Sequence, residues 1–424
     1  MLQVFDMYLY RLKNHLKTAF RKPYRLARRS PEALRLQAAR AAHAVVGDRN
    51  GLSREALYPP RERSKSTPDW VQNHGAEYGA EIVLLDASAS VAHPMPKTPH
   101  ESIRRQFQMD PFYDRPGTFV ATIPAARVWG EGMVIAPDNR LLGDVSIDFG
   151  LDIIGREWRL EKLVRLDARV AVLSTAGGSI FYHWLYQLLP RIELIRRAGI
   201  ALDGVDYFLV NDLAGRYKLE TLQAIGIGRD KLLLSSELRY VQVRELIAPS
   251  VVLRAGCYPE WMRSFLRRTF LSETDAVRNA AKRLYLSRGE AKYRRVLNED
   301  AVCDVLRQYG FEIVRLEALP FSGQARLLSE AAVVVAPHGA GLSNVVFCAP
   351  GTKVIEIFAP ELVTGFYWRL CTESQLDYYY ILGEGKPETL RADYEQSWNE
   401  RQDITVDLAL LRAVLDQAEV SRTG

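Results

Sequence analysis

The stretch VVVAPHGAGLSNVVFCAPGTKVIEIF (Val333–Phe358) places a histidine and a carboxylate on either side of a loop of small residues. Val333–Ala336 is short, β-branched and apolar, as a central parallel strand would be. Pro337, His338, Gly339, Ala340, Gly341 and Leu342 follow at once. Ligands of open α/β sheets bind at the carboxyl ends of strands. Small residues there let the backbone approach a ligand, and a following helix offers unpaired N–H groups to an anion. Ser343 and Asn344 can add side-chain donors. The same pattern also suits a tight strand-to-helix turn that holds nothing. Glu356 stands alone among apolar neighbours, which is costly unless the carboxylate is paired. Its partner is either a ligand hydroxyl or an arginine of the chain.

Two further stretches carry chemistry. YLSRGEAKYRRVLNE (Tyr285–Glu299) sets Arg288, Lys292, Arg294 and Arg295 in a loop after an expected strand. Guanidinium forks match phosphate oxygens, so such a cluster suits a diphosphate, although a solvated basic loop has the same composition. In AGGSIFYHWLYQLLPRIELI, His183 comes early in a helix that follows a glycine turn. There it could take a proton near neutral pH, or simply pack beside Trp184. Gln187 lies one helical turn further on and shares its face.

These residues need elements to hold them. From Glu81 to Gly150 the chain reads as short strands separated by turns. It then alternates: ARVAVLS a strand, FYHWLYQLLPRIELIRRAG a helix, followed by DYFLVND, KLETLQAIG, KLLLSS and VRELIAP as strand, helix, strand, strand. A second alternating block follows Trp261, with RLYLSR, FEIVRLE, VVVAP and TKVIEIF as strands. In it Asn298 caps a helix that closes at Gly310. Two such blocks imply an α/β protein with two Rossmann-like domains facing a cleft. The expected boundaries are 1–75 for a basic helical extension and linker, 76–255 and 256–400 for the two domains, and 401–424 for a C-terminal helix. Residues 58–76, with two proline sites and no period, read as the linker.

The chain has 424 residues, 48% hydrophobic and 25% charged, the balance of a globular protein. Its formal charge of +5 conceals an asymmetry. Residues 1–40 hold ten Lys or Arg against two acids, a surplus of +8, so the rest of the chain carries −3. The body is therefore not a nucleic-acid-binding surface. Leu2, Phe5, Leu9, Leu12, Leu16 and Phe20 form one apolar helical face beside that basic one. Such a helix suits either an anionic membrane surface, through residues 1–30, or docking on the protein itself or on a second copy. No apolar run reaches the roughly 20 residues of a membrane span. A cytoplasmic protein, peripheral at most on the inner face of the membrane, is expected. Cys257, Cys303, Cys348 and Cys371 form no CxxC pair, so reduced thiols are expected.

Taken in order, YHWLYQLLPRIELI, LYLSRGEAKYRRVLNED and PHGAGLSNVVFCAPGTKVIEIF resemble glycosyltransferase family 61. The resemblance covers roughly residues 165–360 well, 80–165 loosely, and the basic tail not at all. It implies the two-Rossmann (GT-B) glycosyltransferase fold, a nucleotide sugar in the cleft, a glycan or glycolipid acceptor, and inversion without a metal or other cofactor. By resemblance, Arg288 and Arg295 would meet the diphosphate with Arg294 close by. His338 and the Gly339–Gly341 turn would sit at the phosphate–sugar junction, and Glu356 would hold nucleoside or sugar hydroxyls. The sequence departs from the family at two points. Ser179 and Ile180 stand where many members have Asn, and Gln187 where many have Asp. His183 is then the expected base, with Gln187 positioning the acceptor. Two other classes stay open: a nucleotide-sugar dehydrogenase or epimerase, disfavoured by the lack of an early GxGxxG, and a non-catalytic subunit of a polysaccharide assembly complex.

Overall fold

A computed structural model describes residues 59–60, 62–108, 112–146, 154, 157, 160–251, 256–272, 280–289, 291–385 and 402–423. The expected amphipathic helix of the basic tail lies outside these residues. No helix of the described residues is long and apolar enough to cross a membrane.

The carboxyl-terminal sheet follows directly from the sequence pattern. Lys282–Leu286, Glu312–Val314, Ala331–Pro337, Lys353–Phe358 and Asp377–Leu382 are all parallel. In space, Glu312–Val314 lies at one edge, then Lys282–Leu286, Ala331–Pro337, Lys353–Phe358 and Asp377–Leu382. Numbered along the chain this order is 2-1-3-4-5, a doubly wound arrangement with its switch point between the first and third strands. The central strands are Val- and Ile-rich because both faces are covered. The last strand and the helix before it, Phe366–Glu373, were not expected from the sequence.

The other sheet is mixed. Tyr240–Pro249, Val164–Val172, Tyr207–Val210 and Leu232–Leu234 are parallel neighbours. Tyr240–Pro249 also pairs antiparallel with Arg127–Trp129 along its first residues and with Thr118–Pro124 along its last. The short strands expected before residue 150 thus extend a parallel α/β core.

The expected linker at 58–76 is corrected. It contains the strand Glu62–Ser64 and the helix Thr67–Tyr78. Pro68 sits in the first helical turn, where its missing N–H costs nothing, and Ser66 caps the helix by accepting from the Asp69 amide at 3.1 Å. Trp70 of this helix is buried in the mixed sheet's core. A second departure lies at residues 94–107, expected within the first domain. Lys97 pairs with Tyr379 of the other sheet, the Trp368 indole donates to the Pro94 carbonyl, and Phe107 packs on Trp368 and Tyr380.

One apolar cluster runs between the two sheets. It takes Ala171 and Phe208 from the first, Leu284, Val334 and Phe358 from the second, and Leu185, Ile192 and Phe265 from the helices between them. The carboxyl-terminal helix, Leu408–Gln417, packs on the far face of the second sheet through Leu411, Val414 and Leu415. All four cysteines are buried and unpaired.

Candidate active site

His338 ends the strand Ala331–Pro337, whose register beside Lys353–Phe358 sets Ala336 opposite Glu356. That pairing carries the histidine back over the neighbouring strand. Its Nδ1 lies 2.5 Å from Glu356 Oε1, and the ring stacks on Phe358 with centroids 5.1 Å apart. Burial lowers the pKa of His338, against the opposing pull of Glu356, so the neutral imidazole is favoured. A carboxylate can only accept, so Nδ1 carries the hydrogen and Nε2 the lone pair.

Glu356 was expected to hold donor hydroxyls. The structure gives it protein partners instead. The residue has no exposed surface, and its second oxygen accepts from the Tyr378 hydroxyl at 2.5 Å. Burial pushes the Tyr378 phenol well above its ordinary range, with Glu356 adding to the shift, so that hydroxyl remains a donor. The carboxylate in VIEIF is therefore the support of His338. Tyr378 escaped sequence reasoning because its strand, DYYYIL, was not expected from the sequence; its four central residues are all buried.

The glycine loop is small because an arginine lies across it. A Cβ on Gly339 would sit 1.8 Å from Arg288 Nη1. Gly339 has an extended backbone, so the constraint is space and not φ. Arg288 donates through Nη2 to the Tyr293 carbonyl at 3.3 Å, while its buried Nε has no partner among the described residues. Burial and then Arg294 lower its pKa, which marks two cations held close together. A buried donor without a partner calls for an explanation, and an anion beside the two cations would supply one. Arg294 donates through Nε to the His338 carbonyl at 3.1 Å and adopts φ +56°, a left-handed conformation unusual outside glycine.

Arg288 and Arg294 thus converge on the His338 loop. Arg295 does not. Its guanidinium forms a two-pronged ion pair with Asp403 at 2.8 and 3.2 Å, and Asp403 also accepts from the Arg295 amide. Here Arg295 anchors the loop to Asp403. Asn298 departs similarly. It precedes the helix Glu299–Gln308 without capping it, and its amide instead exchanges two hydrogen bonds with the Val406 backbone. Both partners lie 108 residues away along the chain, so no local signal reveals them. Lys292 is exposed on the same loop.

Gly339 leads into Ala340–Phe347, an eight-residue 3-10 helix where a helix was expected. Ser343 and Asn344 were expected as ligand donors, but both are buried. The Ser343 hydroxyl lies 3.3 Å from that of Tyr367, and the Asn344 amide donates to Gln324 and to the Gly341 carbonyl. They fix the loop from behind.

The other half of the site is the segment Phe181–Arg197. Helical at both ends, it has a π-helical turn over Trp184–Leu188, closed by the Leu189 amide on the Trp184 carbonyl. Such turns recur at functional sites, and periodicity alone does not reveal them. His183 Nδ1 lies 2.8 Å from Gln187 Oε1. An amide oxygen only accepts, so this bond again sets the lone pair on Nε2. Gly177, at φ +78°, passes so close that a Cβ there would lie 3.3 Å from His183 Nε2. Buried tyrosines join the halves: Tyr186 donates to the Ser343 carbonyl at 2.6 Å, and Tyr182 packs 6.0 Å from Tyr367, which packs 5.7 Å from His338.

A cavity of about 380 Å³ opens beside this assembly, lined by Arg288, Pro337 and Gly341 at the carboxyl ends of the first and third strands. Small-ligand sites have this size and place.

Residues 181–355 match the Glycosyltransferase 61 family model. The matched segment begins at the histidine helix and ends one residue short of Glu356. Among curated proteins, 80 residues are 35% identical to the EGF domain-specific O-linked N-acetylglucosamine transferase of Drosophila melanogaster, covering 18% of this chain and 15% of that protein. A further 180-residue match, 29% identical, is to the Beta-1,2-xylosyltransferase XAX1 of Oryza sativa subsp. japonica, covering 36% and 31%. The chain therefore spans less than a third of the length of either relative. The matches support a glycosyltransferase.

Proposed function

We propose that the protein is an inverting, metal-independent glycosyltransferase. It takes a sugar from a UDP-sugar and passes it to a hydroxyl of a glycan or glycolipid acceptor. The observation that carries this reading is the convergence of Arg288 and Arg294 on the His338 loop, beside a cavity at the switch point, within the segment that matches the family. In this account the two arginines hold the diphosphate, and the neutral His338, steadied by Glu356, stands at the phosphate–sugar junction. The acceptor oxygen attacks the anomeric carbon as the bond from that carbon to the diphosphate oxygen breaks. The acceptor proton passes to His183 Nε2, with Gln187 fixing the tautomer. The diphosphate leaves with the bonding electrons, and the arginines stabilise its growing charge.

The two sheets would then form the donor and acceptor halves of a GT-B arrangement, with the boundary near residue 256. A role in bacterial surface polysaccharide synthesis rests on the sequence resemblance alone, and attachment of the tail to an anionic membrane on its apolar stripe and its +8 charge. The test is a panel of UDP-, GDP- and CMP-sugars, read by melting-temperature shift and by nucleotide release. UDP-sugars should raise the melting temperature, and slow release of UDP should survive EDTA. Activity that EDTA abolishes and only manganese or magnesium restores would contradict the arginine mechanism.

A further inference from the structure

The donor-side cavity has two charged lining residues, Arg288 and Glu317. Sequence reasoning passed over Glu317, which lies three residues beyond the strand Glu312–Val314. That strand is the immediate neighbour of Lys282–Leu286. Its carboxyl end therefore opens into the crevice from the side opposite Ala336 and Pro337. Glu317 is exposed. It is close enough to Arg288 to raise that group's pKa slightly against the larger effect of burial.

This arrangement sorts the parts of a nucleotide by charge. A diphosphate is repelled by Glu317 and drawn toward Arg288, Arg294 and the Gly339 backbone. A carboxylate at the other end can only accept, so it selects a group with two adjacent hydroxyl donors. Leu286 and Leu316 supply apolar lining beside it. In dinucleotide-binding doubly wound folds, an acidic side chain about 20 residues beyond the first strand's turn binds a ribose hydroxyl.

We propose that Glu317 is a specificity residue that binds the ribose hydroxyls of the donor's nucleoside diphosphate. This rests on the donor reading above, and it makes the site selective for ribo- over deoxyribonucleotides. The experiment is calorimetric titration of the full chain, wild type and Glu317→Gln, with UDP and 2′-deoxy-UDP. Wild type should bind UDP about 10- to 100-fold more tightly than the deoxy analogue, the range for a hydrogen bond to a charged group. Glu317→Gln should lose most of that preference by binding UDP more weakly. Equal affinity of wild type for the two ligands would overturn the assignment while leaving the donor site standing, as would an undiminished preference in a folded Glu317→Gln. Failure of wild type to bind either nucleotide would overturn the donor reading itself, and this inference with it.

Discussion

Replacing His183 by alanine is expected to lower the rate of sugar transfer by roughly 10²- to 10⁴-fold, the range for loss of a general base. The expectation follows from the 2.8 Å contact with Gln187, which presents the Nε2 lone pair. Donor affinity should change little, because the proposed donor contacts lie at the other sheet. The loss should thus appear in kcat, the pattern for an interaction made only in the transition state. A base must be deprotonated to work, so the wild-type rate should fall as the pH is lowered. That acidic limb should be missing from the residual activity of His183→Ala. Gln187→Leu keeps the packing volume and removes the acceptor, and should show part of the same loss. Near-normal turnover in a folded His183→Ala would move the base to another residue.

The second large effect concerns stability. Glu356→Ala removes the one acceptor shared by His338 and Tyr378 in a region without solvent. Two donors would then be buried without partners. Leaving each buried donor unsatisfied costs about 1–3 kcal/mol, so the two together should cost about 2–6 kcal/mol and the unfolding midpoint should fall by several degrees. Glu356→Gln keeps an oxygen for one donor but turns an N–H₂ toward the other, and should lie between the two. Denaturant unfolding checks both variants. An alanine variant within about 0.5 kcal/mol of wild type, the range of ordinary surface substitutions, would show that the network is not structural.

What the sequence disclosed and what it concealed differ by the range of the interaction. The parallel strands around His338 were legible because a buried strand is a nearly continuous apolar run, and VVVAP and, apart from Glu356, VIEIF are such runs. The glycine loop was legible as a place of close approach. That Arg288, and not only a ligand, fills the space above Gly339 was not, since the two are 51 residues apart. Glu356 was recognised as a carboxylate needing a partner, but its partners come from a loop and a strand on either side of it. Arg294 and Arg295 are adjacent in sequence and alike in chemistry. Only the approach of Asp403 separates the one that faces His338 from the one that anchors the loop. The helix at Thr67–Tyr78 was hidden by Pro68, which breaks a helix interior but suits a first turn. The crossing of residues 94–107 onto the second sheet left no pattern at all, because it rests on contacts such as Phe107 with Trp368.

The central claim is that a nucleoside diphosphate sits on Arg288 and Arg294 at the carboxyl ends of the second sheet's strands. Its most direct test is the affinity of the full chain for UDP, measured by calorimetry in wild type and Arg288→Ala. The account predicts that wild type binds and that the variant, still folded, binds about 10- to 100-fold more weakly, as loss of a charge-assisted contact requires. Equal affinity in wild type and Arg288→Ala would remove the arginine from the site and contradict the account.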